Sequence, residues 1–466
     1  MDAIASQHAP SADARQQPKR VLSAVSAIVV SYGLMQTMLV PTIGVLQRDL
    51  DTSTAAASWA VLTAMLLASA VITPVAGRLG DRYGKRRVIL WMLVVFLIGT
   101  VGAAAASNIG TLIACRAVQG VSLTLLPLSF AIIREALPAD RVHAGLALAS
   151  GLVTGTAGLG LLIGGLVVDH GSWRWLFAIG AVVVIAALAM TVRWIPESTE
   201  RHPGRLDLPG TAVMTAGLVL ILLAITQGPS WGWSSPRLFG LLACALACLI
   251  VLIAVERRVT HPVVDLGLLT KRPLAVAHLG ALILGVNQFA VYVLVPKLAV
   301  LPGYGFGLSV TGAALVLLPG TLLTVPASWS TPWLERRIGV RAPLVAGLAF
   351  AGAGTILLAL AHATAWQVVL NYAIASIGWG FAMAALPRMV NTACPPAQSG
   401  SANGINTVAR TVGGAVGAQL AAAVLASNTL AGAPFPTNNG FSLAFTIAAG
   451  VAVAGAALAL LPAFRR

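Results

Sequence analysis

Long apolar runs separated by brief polar breaks occupy almost the whole chain. A helix needs roughly 20 apolar residues to cross a bilayer core of about 30 Å. Uninterrupted runs such as 176–190 also lack the apolar/polar alternation of barrel strands. We therefore predict an all-α integral membrane protein with fourteen transmembrane helices, at residues 21–45, 57–78, 88–106, 111–133, 143–167, 176–195, 209–227, 237–255, 273–296, 309–329, 342–361, 366–389, 400–426 and 441–463.

Composition and charge agree with a membrane location. Apolar residues make up 58% of the chain and charged residues 9%, which excludes an ordinary soluble domain. The net charge of +15 does not indicate a nucleic-acid partner, because 23 of the 29 Lys and Arg residues fall on one side of the predicted spans. The positive-inside rule then predicts that both termini are cytoplasmic. We expect a multi-pass protein of the bacterial cytoplasmic membrane that works as a monomer.

Sequence features of enzymes and ATP-driven pumps are missing. The chain has no GxxxxGK[ST] loop, and no predicted cytoplasmic loop is long enough to hold a nucleotide-binding domain. No carboxylate pair, His–metal cluster or nucleophile–base set converges in the predicted loops. The four cysteines lie within or at the ends of spans and are interpreted as packing residues. We therefore expect no enzyme activity, metal or cofactor, and a transport process driven by an ion gradient.

The loop after the second predicted span reads GRLGDRYGKRR at residues 77–87. Gly77 and Gly84 would permit a tight turn, and Asp81 could face a helix N-terminus or an arginine. The loop resembles the signature loop of the major facilitator superfamily. The resemblance implies a conformational latch formed by Gly77, Asp81, Arg82, Gly84 and Arg86. A solvated basic loop is the alternative, and it explains the arginines but not the spacing of Gly and Asp.

Arg116 lies within the fourth predicted span, in the segment LIACRAVQG at residues 112–120, which is similar to the superfamily's intramembrane arginine motif. An arginine inside a span needs a polar partner or a water-filled cavity, so we predict a functional role in proton relay or coupling. The alternative is that its long side chain snorkels to the interface.

Glycines line the fifth predicted span. Gly151, Gly160, Gly164 and Gly165 match the glycine ladder of the superfamily's antiporter motif, although Leu161 replaces the usual proline. Close helix packing without any role in exchange is the alternative interpretation.

Further segments resemble the 14-helix drug:proton antiporter branch of this superfamily: WRWLF at 173–177, DLPG at 207–210, Gly232-Trp233, and GINTVARTVGGAVG at 404–417. The resemblance implies the major facilitator fold, in which two six-helix bundles face a central cavity, with two inserted helices. We divide the chain into a cytoplasmic tail (1–20), an N-terminal bundle (21–196), an inserted helix pair with linkers (197–271) and a C-terminal bundle (272–466). Aligning Gly339 with Gly84 places Arg336 where Asp81 stands, so the second bundle has lost the latch aspartate, with Glu335 as a possible substitute.

The implied function is export of small amphipathic compounds, drugs or secondary metabolites, by alternating access and probable proton antiport. The partners would be the substrate, protons and the lipid bilayer. A symporter or facilitator that imports a nutrient is the alternative, and a non-transporting membrane sensor is a further one.

Coupling residues are difficult to find in this sequence. Relatives in this branch usually have an aspartate in the first helix, where this chain has Gln36. None of the fourteen acidic residues lies deep in a predicted span. The candidates for proton relay are therefore Arg116, Asp49 and Asp51 near the outer mouth, and His278, for which hydrogen bonding to the backbone at the membrane edge is the alternative.

Polar side chains within the spans are candidates for the substrate cavity. A cavity without a buried acid favours neutral, zwitterionic or anionic compounds, and Arg116 and Arg410 would favour acidic or phenolic groups. Packing between helices is the alternative for each one. The candidates are Tyr32, Gln36, Asn287, Gln288, Tyr292, Asn371, Tyr372 and Arg410.

Overall fold

The computed structural model describes residues 12–52, 56, 57, 59–198, 208–232, 234–256, 271–395, 398–429 and 435–460. Fourteen long helices occupy these ranges, and no strand is present in them. The helices are α1 (Ala12–Thr37), α2 (Ala64–Tyr83), α3 (Lys85–Ala104), α4 (Ile109–Ala136), α5 (Ala139–His170), α6 (Arg174–Trp194), α7 (Leu208–Trp231), α8 (Pro236–Glu256), α9 (Arg272–Val300), α10 (Val310–Ile338), α11 (Ala342–Leu360), α12 (Ala365–Ala393), α13 (Ser399–Ser427) and α14 (Asn438–Leu460).

Each predicted span coincides with one of these helices, so the all-α membrane fold is confirmed. Short helical segments of other kinds adjoin or interrupt three of these helices. A π-helical turn, Trp59–Thr63, precedes α2, a 3-10 turn, Gly120–Thr124, interrupts α4, and a short helix, Ile43–Asp49, follows α1. Among the described residues, thirteen spans are long and apolar enough to cross a membrane when α2 and its π turn count as one span bent by 43°. Within α7 the apolar stretch is shorter, at Pro209–Ile225.

Helix contacts separate the chain into two six-helix groups. In the first, α1 packs against α5 and α6, and α3 packs against α6. In the second, α9 packs against α13 and α14, while α11 packs against α12 and α14. The groups meet mainly where α5 contacts α10 and where α2 contacts α13. We call the groups the first bundle (α1–α6) and the second bundle (α9–α14).

The two helices between the bundles differ in exposure. α7 packs against α2 and α13, on the seam between the bundles, and α8 packs against α7. Only 11% of the most apolar stretch of α8 is buried within the protein, compared with 67% of the corresponding stretch of α9. The exposed side chains of α8 are apolar, such as Leu246 and Ile250. Lipid is therefore the natural environment of α8.

Backbone-to-backbone contact holds α9 against α13. Gly413 lies on the backbone of Leu282, and Gly417 lies on the backbone of Val286. A β-carbon at either glycine would overlap these atoms. Small residues of this kind let transmembrane helices approach closely, where dispersion contacts replace the hydrophobic driving force that lipid removes. The glycine-rich segment 404–417 therefore has a packing role at this contact.

We predict that Gly413→Val destabilises the second bundle, because the added side chain pushes α13 away from α9. Overpacking of this kind costs about 1–3 kcal/mol. The measurement is the apparent melting temperature of the detergent-solubilised protein, followed by size-exclusion chromatography. Gly450→Val on α14 is the matched control, since nothing lies within 4 Å of a β-carbon at that position. Equal melting temperatures for the two variants would contradict the packing role.

Candidate functional site

The face of the molecule where α2 ends and α3 begins is called the latch face, and the other is called the opposite face. Gly84 separates α2 from α3 with φ 96°, and Gly339 separates α10 from α11 with φ 110°. Side chains rarely adopt this left-handed backbone, so glycine suits both positions. Both turns occur at the same place in their bundles, as expected from aligning the two glycines.

Gly77 does not form part of the turn, and that prediction is wrong. It lies inside α2, where a β-carbon would stand 3.0 Å from the carbonyl oxygen of Gly400, at the start of α13. Gly400 in turn faces α2, where a β-carbon added to this glycine would stand 2.9 Å from Oδ1 of Asp81. The two glycines bring α2 of the first bundle into direct contact with α13 of the second.

Asp81 lies at this contact, and 7% of it is exposed. Its Oδ2 accepts a hydrogen bond from Oγ of Ser401 at 3.2 Å, and its Oδ1 is 3.9 Å from Nζ of Lys85. Ser401 belongs to the first turn of α13, where the helix dipole favours a negative charge. Asp81 therefore faces a helix N-terminus across the bundle boundary, as the sequence suggested.

Other latch residues act within the first bundle. Lys85 is fully buried, forms an ion pair with Glu135 of α4, and donates its backbone N–H to Oγ of Ser198 at 3.0 Å. Nη2 of Arg86 donates to the carbonyl of Val192 at 2.8 Å. Arg82 stacks on the neighbouring Tyr83 ring, with 5.1 Å from Cζ to the ring centroid. Arg86 thus anchors the start of α3 to α6 of its own bundle, whereas the contact of Arg82 is with its neighbour in sequence.

A third contact between the bundles closes the latch face. Nη2 of Arg134, on α4, donates to the carbonyl of Cys394 at 3.2 Å, just after α12. By contrast, Glu335 forms an ion pair with Arg388 of α12, within the second bundle. Glu335 therefore does not substitute for Asp81 as a link between bundles.

Arg116 is fully buried and does not reach the interface. Its Nε donates to the carbonyl of Ala60 at 3.1 Å and its Nη2 to the carbonyl of Val61 at 2.7 Å, both in the π-helical turn before α2. Its Nη1 donates to Oε1 of Gln119 at 2.5 Å. Snorkelling is therefore wrong for this side chain. Arg116 fixes the start of α2 and takes no part in the tyrosine cluster around Arg410 described below.

The glycines of α5 face two partners. Gly151 packs on α10, where an added β-carbon would stand 3.1 Å from Cβ of Ser328. Gly165 packs on the same helix, where an added β-carbon would stand 3.0 Å from Cα of Thr311. Gly160 instead faces α1 inside the first bundle, and Gly164 is buried within α5. The ladder therefore serves both internal packing and the seam between bundles.

A cavity of about 540 Å³ lies between the bundles toward the opposite face. It is mostly apolar, and the bundles also touch beside it, where Thr311 donates to Asp169 at 2.5 Å. Its described lining includes Val40, Leu161, Pro296, Lys297, Val310 and Leu317.

Five predicted cavity residues meet at the boundary between α1 and the second bundle. Nη2 of Arg410, on α13, donates to the hydroxyl of Tyr32 at 3.5 Å, and Nε2 of Gln288 donates to the hydroxyl of Tyr292 at 3.2 Å. The carbonyl of Arg410 lies against Gly285, one turn before Gln288 on α9. Tyr372 packs on the same Trp379 ring as Tyr292. These five residues are called the tyrosine cluster.

Trp379 holds two members of the cluster in place. Its ring centroid is 5.4 Å from that of Tyr292 and 5.5 Å from that of Tyr372, in edge-to-face geometry. Gln36 is half-buried on α1, one turn from Tyr32 on the same side of the helix. Gln36 therefore lies between the cluster and Val40 of the cavity.

Asn287 and Asn371 are not cavity residues. Asn287 accepts a hydrogen bond from Nε1 of Trp379 at 2.9 Å and donates to Thr355 and to the carbonyl of Ala448, both at 3.1 Å. Asn371 donates to the carbonyls of Leu357 and Ala361 at the end of α11. Buried amides need partners, and these two find them inside the second bundle.

The remaining coupling candidates lie apart from the cluster. Asp49 accepts a hydrogen bond from Nε1 of Trp173 at 3.2 Å, and Asp51 is exposed, with φ 44°. His278 lies on the latch-face half of α9, with its Nδ1 3.4 Å from Nδ2 of Asn406. The structure therefore brings none of these three residues to the tyrosine cluster. Asp207 and Trp233, in two of the motifs, lie outside the described residues.

Sequence reasoning missed several residues at the bundle boundary. Gly400 and Ser401 lie four and three residues before the recognised segment 404–417, and Arg134 is one of the 23 basic residues on the predicted cytoplasmic side. Lys297 lines the cavity, and its position as one of four basic residues on the opposite side was a usable signal.

Comparisons with known proteins agree with this geometry. The sequence model of the Major Facilitator Superfamily matches residues 25–418, so the chain belongs to this superfamily of membrane transporters. It is 31% identical to the puromycin resistance protein pur8 of Streptomyces alboniger, over 94% of this chain and 89% of that protein. It is 26% identical to the tetracenomycin C resistance and export protein of Streptomyces glaucescens, over 90% of this chain and 78% of that protein. Similar relatives are thus antibiotic resistance and export proteins.

Two solved structures share the fold. The human organic anion transporter MFSD10 (TETRAN) has a TM-score of 0.66 at 16% identity, covering 95% of this chain and 99% of that one. The proton:xylose symporter XylE has a TM-score of 0.65 at 17% identity, with 95% of each chain covered. At these identities the likeness concerns the fold and carries no information about substrate.

We predict that Arg116→Gln lowers the melting temperature of the purified protein, because two buried carbonyls lose their donor at about 1–3 kcal/mol each. The melting temperature of Arg116→Lys should lie between those of Arg116→Gln and the wild type, since one ammonium group cannot reproduce the several N–H donors of the planar guanidinium. Arg48→Gln is the control, as Arg48 is exposed. A wild-type melting temperature in Arg116→Gln would contradict the structural role.

Proposed function

We propose that the protein exports small amphipathic compounds, drugs or secondary metabolites, by alternating access coupled to proton antiport. The observation that carries the proposal is the asymmetry of the bundle boundary. Gly77 meets Gly400, Asp81 meets Ser401 and Arg134 meets Cys394 on the latch face, whereas a cavity lies toward the opposite face. Such a boundary suits a transporter that closes one side while it opens the other.

The orientation of the protein in the membrane relates this asymmetry to a direction of transport. The excess of Lys and Arg on the latch side assigns that face and both termini to the cytoplasm of a bacterial cell. On this proposal, the transporter works as a monomer and the cavity on the opposite face opens to the outside of the cell. Relatives named for antibiotic resistance and export support outward transport. Nutrient import by symport or facilitation is the second candidate, and no contact in the described residues favours it.

The described contacts suggest how the cycle proceeds. Asp81 stabilises the closed latch face by facing the first turn of α13, so rocking of the bundles must break its bond to Ser401. The small residues of α5 lie on α10 without long interlocking side chains, as at Gly151 and Ser328. This seam can therefore act as the pivot while the latch face opens and the opposite face closes.

We predict that Asp81→Asn shifts the population away from the outward-facing state, because a neutral amide interacts less favourably with the N-terminus of α13. A dipole interaction of about 0.5–2 kcal/mol corresponds to a shift of roughly 2- to 30-fold. Distances between pairs of spin labels at exposed positions measure this shift in population, in a variant without the native cysteines. The pair at Arg48 and Val300 reports the opposite face, and the pair at Arg87 and Thr392 reports the latch face.

The first pair should come closer and the second should move apart. Asp140→Asn is the control, because Asp140 is exposed and pairs only with its neighbour Arg141, at 3.9 Å. Unchanged distance distributions in Asp81→Asn would show that Asp81 is not a latch.

Proton coupling is tested in proteoliposomes that contain a pH-sensitive dye, using a panel of small amphipathic compounds. Antiport predicts that substrate movement in one direction drives protons in the other, and that a collapsed pH gradient abolishes accumulation. Symport would move both in the same direction. Substrate movement without proton movement would rule out proton coupling and leave a facilitator or another ion.

A further inference from the structure

We propose that the preferred substrates are organic anions, whose carboxylate or phenolate oxygen binds Arg410 within the tyrosine cluster. This inference rests on the proposed function and narrows its substrate class.

The first observation is that the charge of Arg410 is incompletely satisfied. The residue is 6% exposed and lies in the interior of the long helix α13, at the boundary with α1. Its single hydrogen bond among the described residues is the 3.5 Å contact with the hydroxyl of Tyr32, at the limit of hydrogen-bonding distance. No carboxylate of the described chain forms an ion pair with it. A buried guanidinium with so little compensation has free capacity for an anion.

Arg116 provides an internal comparison. Both arginines are buried in spans, yet three hydrogen bonds at 2.5–3.1 Å occupy the guanidinium of Arg116. The same protein therefore surrounds one intramembrane arginine with acceptors and leaves the other with one distant hydroxyl. That difference indicates a binding role for Arg410 and a structural role for Arg116.

The second observation is the chemistry around Arg410. Tyr32 and Tyr292 have hydroxyls that can rotate to donate to an oxyanion, and Nε2 of Gln288 already lies near one of them, at 3.2 Å. Tyr292 is half-buried, so part of it is accessible. The Phe289 ring, whose centroid is 5.9 Å from that of Tyr292, is also partly exposed and offers flat apolar contact. Donors on one side and aromatic faces on the other suit an aromatic acid or a phenolate.

The third observation is the position of the cavity relative to the cluster. Pro296 of the cavity lies one helical turn beyond Tyr292 on α9, a rise of about 6 Å. Val40 lies two turns beyond Tyr32, with Gln36 between them. The described cavity lining has one charged residue, Lys297, and no carboxylate. A departing anion would meet apolar walls and then a second positive charge at the rim.

The test is binding of probe series that share one aromatic ring system and carry a small substituent of negative, zero or positive charge. The first series is 2-naphthoate, 2-naphthamide and naphthalen-2-ylmethylammonium, and the second is the corresponding set built on anthracene. Calorimetric titrations use the full-length protein in lipid nanodiscs, and empty nanodiscs give the background. We expect the carboxylates to bind more tightly than the amides and the ammonium compounds to bind least.

Variants connect the preference to the site. Arg410→Gln should weaken carboxylate binding about 10- to 100-fold, the effect expected from losing a charge-assisted hydrogen bond, with little change for the amide. Arg410→Lys should weaken it less, and Tyr32→Phe by a few-fold. Arg174→Gln is the control for loss of one positive charge, because Arg174 is exposed and donates to the carbonyl of Ala106 at 3.0 Å.

Several results would overturn the proposal: no carboxylate binds, amides or ammonium compounds bind as tightly, or Arg410→Gln leaves carboxylate affinity unchanged. Should Arg410→Gln fail to fold, unchanged affinity in both Arg410→Lys and Tyr32→Phe would overturn it equally. Transport of the same probes in proteoliposomes separates this inference from the export proposal. Binding of anions without transport would refute export alone, whereas outward transport of cations or neutral compounds only would refute the anion site alone.

Discussion

Every polar group placed in the hydrocarbon core must find its partner within the protein, and this constraint governs the whole structure. It accounts for the helical spans and for the absence of strands among the described residues, because helices satisfy their own amides and carbonyls. It also explains why Asn287 and Asn371 bind groups inside the second bundle. Where several acceptors surround a polar group, as at Arg116, the residue stabilises the fold. Where the constraint is met by a single distant hydroxyl, as at Arg410, we infer that the residue can bind a ligand.

The second feature that organises the molecule is the distribution of small residues. Lipid removes the hydrophobic drive for helices to associate, so close contact depends on glycine and on short side chains. Gly413 joins α13 permanently to α9 within one bundle, while Gly77 and Gly151 lie at contacts between bundles. The same residue type therefore serves rigid packing in one place and a separable contact in another. Asp81 adds an electrostatic contribution to a contact that small residues alone would hold weakly.

Much of the fold was readable from the chain, for a physical reason. Fourteen transmembrane helices were predicted. The described residues contain fourteen long helices, thirteen of which are long and apolar enough to cross a membrane, because apolar runs of sufficient length have one acceptable conformation in lipid. The roles of single residues were less predictable. Gly77 was expected in a turn but packs on Gly400, since glycine serves turns and close contacts equally well. Asn287 and Tyr292 are both polar residues in the same apolar helix. Asn287 nevertheless faces the interior of its own bundle, whereas Tyr292 faces the cluster.

The sequence by itself determined the membrane location, the helical fold and the membership of the superfamily, because these depend on hydropathy and on local motifs along the chain. It also identified Asp81 as a residue that could face a helix N-terminus. The tertiary structure alone decided which N-terminus that is, which face is closed and which of two intramembrane arginines is satisfied. Those properties depend on the rotation of each helix about its axis and on partners up to 378 residues apart, as for Tyr32 and Arg410. Hydropathy does not encode them.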